Sequence, residues 1–228
     1  RLPDPDWLKN FDKDLNGRAT DAGVWQSGAS INLAIGQGDV LVTPLQMANA
    51  YAAFANAGTL YQPGVLDRIT PFDQPDEVVK EFQPKVLHEL DWDPAAYLSV
   101  KDGFAGVTQD RPNATAKAAF AGFPQEFWPA AGKTGTAQSG TKQNRKEDHS
   151  WFVGFGPAND TRYSAAVIME HSGGGGAASA PAVRRIFETI ARDGLGAVDL
   201  NAVRDPTTVA VEPVAPPPDT STDTTVPG

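Results

Sequence analysis

Between Gly132 and Glu170 three strand-like segments follow one another with only loops between them: Gly132–Ala137, Ser150–Phe155 and Tyr163–Glu170. The last two are separated by Gly156-Pro157-Ala158-Asn159-Asp160, a turn-rich spacer whose length suits an antiparallel pair. A helical stripe then appears after Ser179: Val183, Ile186, Phe187 and Ile190 recur at helical spacing from Ala180 to about Arg192, with Arg184, Arg185 and Glu188 mostly off it and Gly194 near its end. Consecutive strands closed by an amphipathic helix make a meander with one face covered. The fold class expected is α+β, an antiparallel sheet with helices packed on it.

Two further helices frame that unit. Thr43 offers an N-cap, Pro44 suits the first turn, and Gly58 can close the end. Between them Met47, Tyr51 and Phe54 fall on one side with Leu45, Ala48, Ala52 and Ala55 beside them, which predicts burial over a broad face. A second helix starts after Asp93-Pro94, with Tyr97, Val100, Phe104 and Val107 at helical spacing. Val78–Leu90 reads as a strand, and the opening Arg1-Leu2-Pro3-Asp4-Pro5-Asp6 as loop. Residues 204–228 hold six prolines, six threonines and no aromatic residue. Such a stretch buries too little apolar surface to offset its chain entropy, so it reads as a disordered acidic tail behind a folded unit of residues 1–203.

Charge excludes one large class of partner. The 228 residues carry a formal charge of −9, so there is no basic field to displace counterions from nucleic acid. Lys142, Arg145 and Lys146 form a basic cluster, but Glu147 and Asp148 dilute it and it reads as a solvated loop. Without cysteine neither disulfides nor thiolate metal sites arise. The sequence has no apolar run long enough to span a membrane, and its opening lacks an apolar signal segment; the start reads as a cut through a longer protein.

The chemistry concentrates in Ala131-Gly132-Lys133-Thr134-Gly135-Thr136-Ala137-Gln138. Lys133 supplies a point charge for a carboxylate, and the Thr134 and Thr136 hydroxyls add hydrogen bonds. Gly135 removes a side chain, so a peptide-like ligand can lie along the strand, with the Thr136 N–H as one donor to a developing oxyanion. Other motifs fall away on inspection. A phosphate loop would need glycine at position 127, which is Phe127. Asp12-x-Asp14-x-Asn16-Gly17 begins like a calcium loop, but the closing Glu position is Gly23, so an acidic turn is expected. His88, His149 and His171 lack ligand spacing and read as structural or solvated, with Asp148-His149 placed to orient the neighbouring loop. Gly173-Gly174-Gly175-Gly176 reads as a flexible turn. Ser139-Gly140-Thr141-Lys142 and Ser30-Ile31-Asn32 spell nucleophile motifs by letters alone.

Taken together, Trp25-Gln26-Ser27-Gly28, Asn32-Leu33-Ala34-Ile35-Gly36-Gln37-Gly38, Thr43-Pro44-Leu45-Gln46-Met47-Ala48, the Lys-Thr-Gly segment, Asp148 to Pro157 and Glu170-His171-Ser172-Gly173-Gly174 resemble a class B penicillin-binding protein transpeptidase domain, closest to the elongation branch, over roughly residues 20–195. The resemblance implies a five-stranded antiparallel sheet between helical layers outside the cytoplasmic membrane, and serine acyl transfer between peptidoglycan stem peptides without a cofactor. It implies that Lys133 and Thr134 hold the carboxylate of a stem peptide or β-lactam and that Thr136 gives an oxyanion N–H. Gly36-Gln37-Gly38 becomes a structural turn with no catalytic role. The family's nucleophilic serine, its lysine and its Ser-x-Asn loop precede that turn, and nothing in residues 1–35 fits them. The chain is therefore expected to be the C-terminal portion of such a domain, inactive without the N-terminal half and working with a membrane-embedded cell-wall synthesis partner. A non-catalytic penicillin sensor or inactive homologue, and a D,D-carboxypeptidase or β-lactamase, remain as alternatives.

Overall fold

The structure, a computed structural model, describes residues 3–11, 24–140 and 144–192. The half calcium loop, Lys142 and the tail at 204–228 lie outside the described residues. The opening is not loop throughout: α1 spans Pro5–Phe11, with the Trp7 N–H donating to Asp4 Oδ1 at 2.7 Å and Pro5 in the first turn. A second helix that periodicity does not signal, α2, spans Ser27–Ala34. It buries no residue, and with Ile31 and Ile35 largely exposed there is no apolar stripe to read. Within it Ser30 Oγ accepts from the Trp25 indole at 2.8 Å, so the Ser-Ile-Asn string is helix surface.

Helix α3, Pro44–Ala55, starts as expected with a full capping box: Thr43 Oγ1 accepts from the Gln46 N–H and Gln46 Oε1 from the Thr43 N–H. Its burial is confined to the C-terminal half, and Leu45 stays exposed. Its end departs from expectation by one residue. Asn56 is the C-cap, Ala57 takes the left-handed conformation at φ 68°, and the Gly58 N–H reaches back to the Ala53 carbonyl. Gly58 is needed for another reason: it exchanges backbone contacts with Leu90, leaving no space for a Cβ. Strand β1 (Thr59–Tyr61) follows, then the two-residue strands β2 (Arg68–Ile69) and β3 (Lys80–Glu81), then β4 (Val86–Glu89). β1 pairs with β4 and β2 with β3, both antiparallel. The single strand expected over Val78–Leu90 is thus two, broken around Pro84, which has no N–H for a ladder. Helix α4, Pro94–Gly106, is N-capped by Asp93, which accepts from the Ala96 N–H at 2.8 Å. Tyr97 and Phe104 face inward onto Phe54, whereas Val100 points outward at 46% exposure.

Residues 107–130 form no regular element, yet they supply Phe120, Phe123 and a fully buried Trp128. They are tied down by polar contacts: Thr108 Oγ1 donates to the Ala130 carbonyl at 2.6 Å, and Gln125 Oε1 accepts from the Ala130 N–H at 2.8 Å. The chain then enters the main sheet, of order β5-β6-β7, with β5 at Ala131–Gly140, β6 at Arg145–Gly156 and β7 at Tyr163–Met169, all antiparallel. β5 and β6 run past their expected ends. Ser139, Arg145 and Lys146 therefore sit in the ladder and not in a loop, and Ser139 Oγ donates to the Glu147 carbonyl at 2.7 Å.

Helix α5, Ser179–Arg192, covers one face of this sheet and α3 with α4 covers the other. On the α5 side Val183, Phe187 and Ala191 pack with Phe152 and Trp128. Ile186, expected in that stripe, is 40% exposed. On the opposite side Ala131 and Phe155 meet Tyr51, Phe54 and Phe104. This is the α+β arrangement expected. The sheet holds three strands among the described residues where the resemblance implies five, and both β5 and β7 are its edges.

Candidate active site

Lys133, Thr134, Gly135 and Thr136 lie in the middle of β5, opposite Val153, Phe152, Trp151 and Ser150 of β6. Strand alternation sends their side chains to opposite faces. Gly135 faces Trp151, while Thr134 and Thr136 face the glycine run ahead of α5. The ammonium and the hydroxyls therefore do not leave the strand on one side. The exposed Lys133 turns back so that Nζ donates to the Thr134 backbone carbonyl, not to a hydroxyl, at 2.7 Å.

Three contacts around this triplet were not legible in the sequence. Thr115, from the irregular segment, places Oγ1 2.8 Å from Thr134 Oγ1, and either hydroxyl can donate. A threonine among alanines in a stretch without periodicity gives no local sign of such a role. Gln37 sits between Gly36 and Gly38, both at φ 73°, and its Nε2 donates to the Thr136 carbonyl at 3.1 Å across 99 residues of sequence. The expected plain turn thus delivers a side chain onto the Lys-Thr-Gly strand.

The third contact corrects the reading of Gly173–Gly176 as a flexible turn. A Cβ on Gly175 would lie 2.6 Å from the Gly135 carbonyl oxygen and 2.8 Å from its nitrogen, so the two backbones touch. The same turn is anchored from β6. Ser172 and Gly173 donate their N–H groups to the Asp148 carbonyl, and the His171 N–H donates to His149 Nδ1 at 3.1 Å. The His149 and His171 rings lie 4.6 Å apart, so Asp148 and His149 hold the turn after β7 and not the loop beside them in sequence. Accepting that N–H leaves the proton of a neutral His149 on Nε2. Deeper in, Ser150 and Ser179 are both buried; their Oγ atoms are 2.8 Å apart, the Ser179 N–H donates to Ser150 Oγ at 3.0 Å, and Ser179 Oγ donates to the Ser150 carbonyl at 2.9 Å. The glycine turn therefore backs the Lys-Thr-Gly strand through Gly175, and the start of α5 is fastened to the neighbouring β6 through Ser150 and Ser179.

Residues 7–188 match the family model described as penicillin binding protein transpeptidase domain. The chain belongs to that family. Among relatives, the peptidoglycan D,D-transpeptidase MrdA of Escherichia coli K12 is 34% identical over 179 residues, covering 73% of this chain and 27% of that protein. PbpA of Mycolicibacterium smegmatis, also named a peptidoglycan D,D-transpeptidase, is 31% identical over 173 residues, covering 71% and 32%. Among solved structures, Pseudomonas aeruginosa PBP2 in complex with WCK 5153 superposes with a TM-score of 0.65 at 27% identity, covering 86% of this chain and 39% of that one. The imipenem acyl-enzyme of Mycobacterium tuberculosis penicillin-binding protein A gives 0.57 at 25% identity, covering 72% and 34%. These names agree with the class B, elongation-type resemblance. The chain spans about a quarter to a third of the length of the curated relatives. No helix among the described residues is long and apolar enough to cross a membrane.

Proposed function

We propose that this chain supplies the carboxylate-binding and oxyanion side of a penicillin-binding peptidoglycan D,D-transpeptidase. In that reaction a serine outside these 228 residues attacks the carbonyl of a D-Ala–D-Ala bond, the terminal D-Ala leaves as the amine, and the acyl group passes to an amine on a neighbouring stem peptide. Lys133 and Thr134 hold the terminal carboxylate, Gly135 keeps the strand bare, and the Thr136 N–H donates to the oxyanion, a contact worth about 10²–10³ in rate. The observation that carries this reading is the position of the triplet on the free edge of β5 within a family match over residues 7–188. The nucleophile and its base then belong to an N-terminal half packed against this one. The site works on the extracytoplasmic face beside a membrane-embedded cell-wall partner.

The test is capture of a fluorescent penicillin by the full-length gene product. The wild type should form a covalent adduct, and Lys133→Ala should slow its formation by about 10²-fold or more, as loss of a charge-assisted contact made during acylation predicts. Absence of any adduct in a folded wild type would overturn acyl transfer in favour of a sensor or inactive homologue. With stem peptide and an acceptor amine, cross-linked product supports transpeptidation, and release to water alone would replace it with carboxypeptidase or β-lactamase activity.

A further inference from the structure

The Thr134 and Thr136 carbonyls are two residues apart on an edge strand, so they project on the same side, away from the neighbouring strand. Both are occupied, and neither by backbone: Lys133 Nζ takes the first and Gln37 Nε2 the second. An extended ligand added along β5 needs those acceptors. We propose that the Gln37 carboxamide is a displaceable cap on the Thr136 carbonyl, and that an incoming acyl donor must present an amide N–H of its own to take its place. This rests on the peptide-binding reading of the β5 edge given above.

The two caps differ in kind. Lys133 carries a charge and follows the ligand's anionic end, whereas Gln37 offers a neutral amide N–H, the same group that a peptide brings. Exchanging one for the other replaces a hydrogen bond with an equivalent one, so the displacement is cheap. The backbone of Gln37 is fixed, with its own N–H on the Asn32 carbonyl at 2.8 Å, while the side chain rests half-exposed on the strand edge. An unoccupied edge carbonyl also invites pairing with another chain, and a side-chain cap prevents this without closing the site. A ligand with ester oxygen or N-methyl in place of that amide leaves Gln37 where it is and gains nothing from the Thr136 carbonyl.

The experiment uses the full-length gene product and two probes: an N-acylated D-Ala–D-Ala dipeptide, and its depsipeptide with oxygen in place of the N–H remote from the carboxylate. Binding is compared in the wild type and in Gln37→Met, which keeps length and loses the donor. The inference expects Gln37→Met to bind the amide peptide about 2–10-fold more tightly, the range of one ordinary hydrogen bond, and the depsipeptide unchanged. Equal weakening for both probes, or no change for either, would overturn it. In wild-type protein labelled with ¹⁵N-glutamine, the Gln37 side-chain resonance should shift with the amide peptide and stay with the depsipeptide, a readout that needs no variant to fold. Peptide binding with a stationary Gln37 resonance defeats the inference alone. If neither probe binds the wild type, the functional reading fails and takes this one with it.

Discussion

Tyr51 in α3 and Ala57 just past its C-cap show how single residues set local energetics. Ala57 closes the helix in a left-handed conformation that costs an L-residue roughly 1 kcal/mol. Part of that is offset because alanine loses less chain entropy on folding than glycine. Ala57→Gly should raise stability by a few tenths to about 1 kcal/mol, seen as a melting temperature a few degrees higher at most; a lower one would show that the turn is held for another reason. Tyr51 lies behind the sheet against Phe104, and burial pushes its phenol up to about 12. The neutral phenol is the form the fold accepts. Below about pH 10 it is neutral in both states and costs nothing; between about 10 and 12 only the unfolded chain ionises, and stability falls. Tyr51→Phe should flatten that alkaline loss by up to about 2–3 kcal/mol, measured by denaturant unfolding at pH 9 and 11.5. An unchanged alkaline slope would place the loss elsewhere.

Between elements, the contact that matters most for the site is backbone on backbone. Gly175→Ala must push the glycine turn away from β5 or shift Gly135, since its new methyl would overlap Trp151 and Gly135 backbone atoms. The expected outcome is penicillin capture slowed by at least about 10-fold with a stability loss of about 1–3 kcal/mol, the usual cost of overpacking. Capture at the wild-type rate would mean that the turn yields and the strand does not depend on it. This interaction marks the limit of what the sequence discloses. The meander, its helix and the Lys-Thr-Gly strand were legible because their signals are local: alternation, a helical stripe, Thr43 and Pro44 at a helix start. Gly175 on Gly135, Thr115 on Thr134 and Gln37 on Thr136 join residues 19 to 99 apart with no periodic signal. Helices α1 and α2 were missed for the related reason that they bury too little to leave a stripe, and the break at Pro84 because a run of strand-forming residues masked it.

At the scale of the whole molecule, much apolar surface is left open. Val65, Leu66, Phe72 and Val79 on and beside β2 and β3, Leu45 on α3 and Leu98 on α4 are all exposed, and β7 presents an edge. Patches of this kind mark contact surfaces or association hazards. The isolated 228-residue polypeptide should therefore bind an apolar dye and associate as concentration rises, and the full-length gene product should do so less per molecule. Equal dye binding by the two would argue that no further segment covers these faces. Against this openness, a buried polar pair fastens α5 to the sheet. Ser150 and Ser179 are joined by reciprocal hydrogen bonds inside an apolar wall, so α5 cannot slip along the sheet by a turn without stranding buried hydroxyls. Two small side chains thereby set the longitudinal alignment of the helix, and with it the distance at which everything ahead of that helix meets the reactive strand.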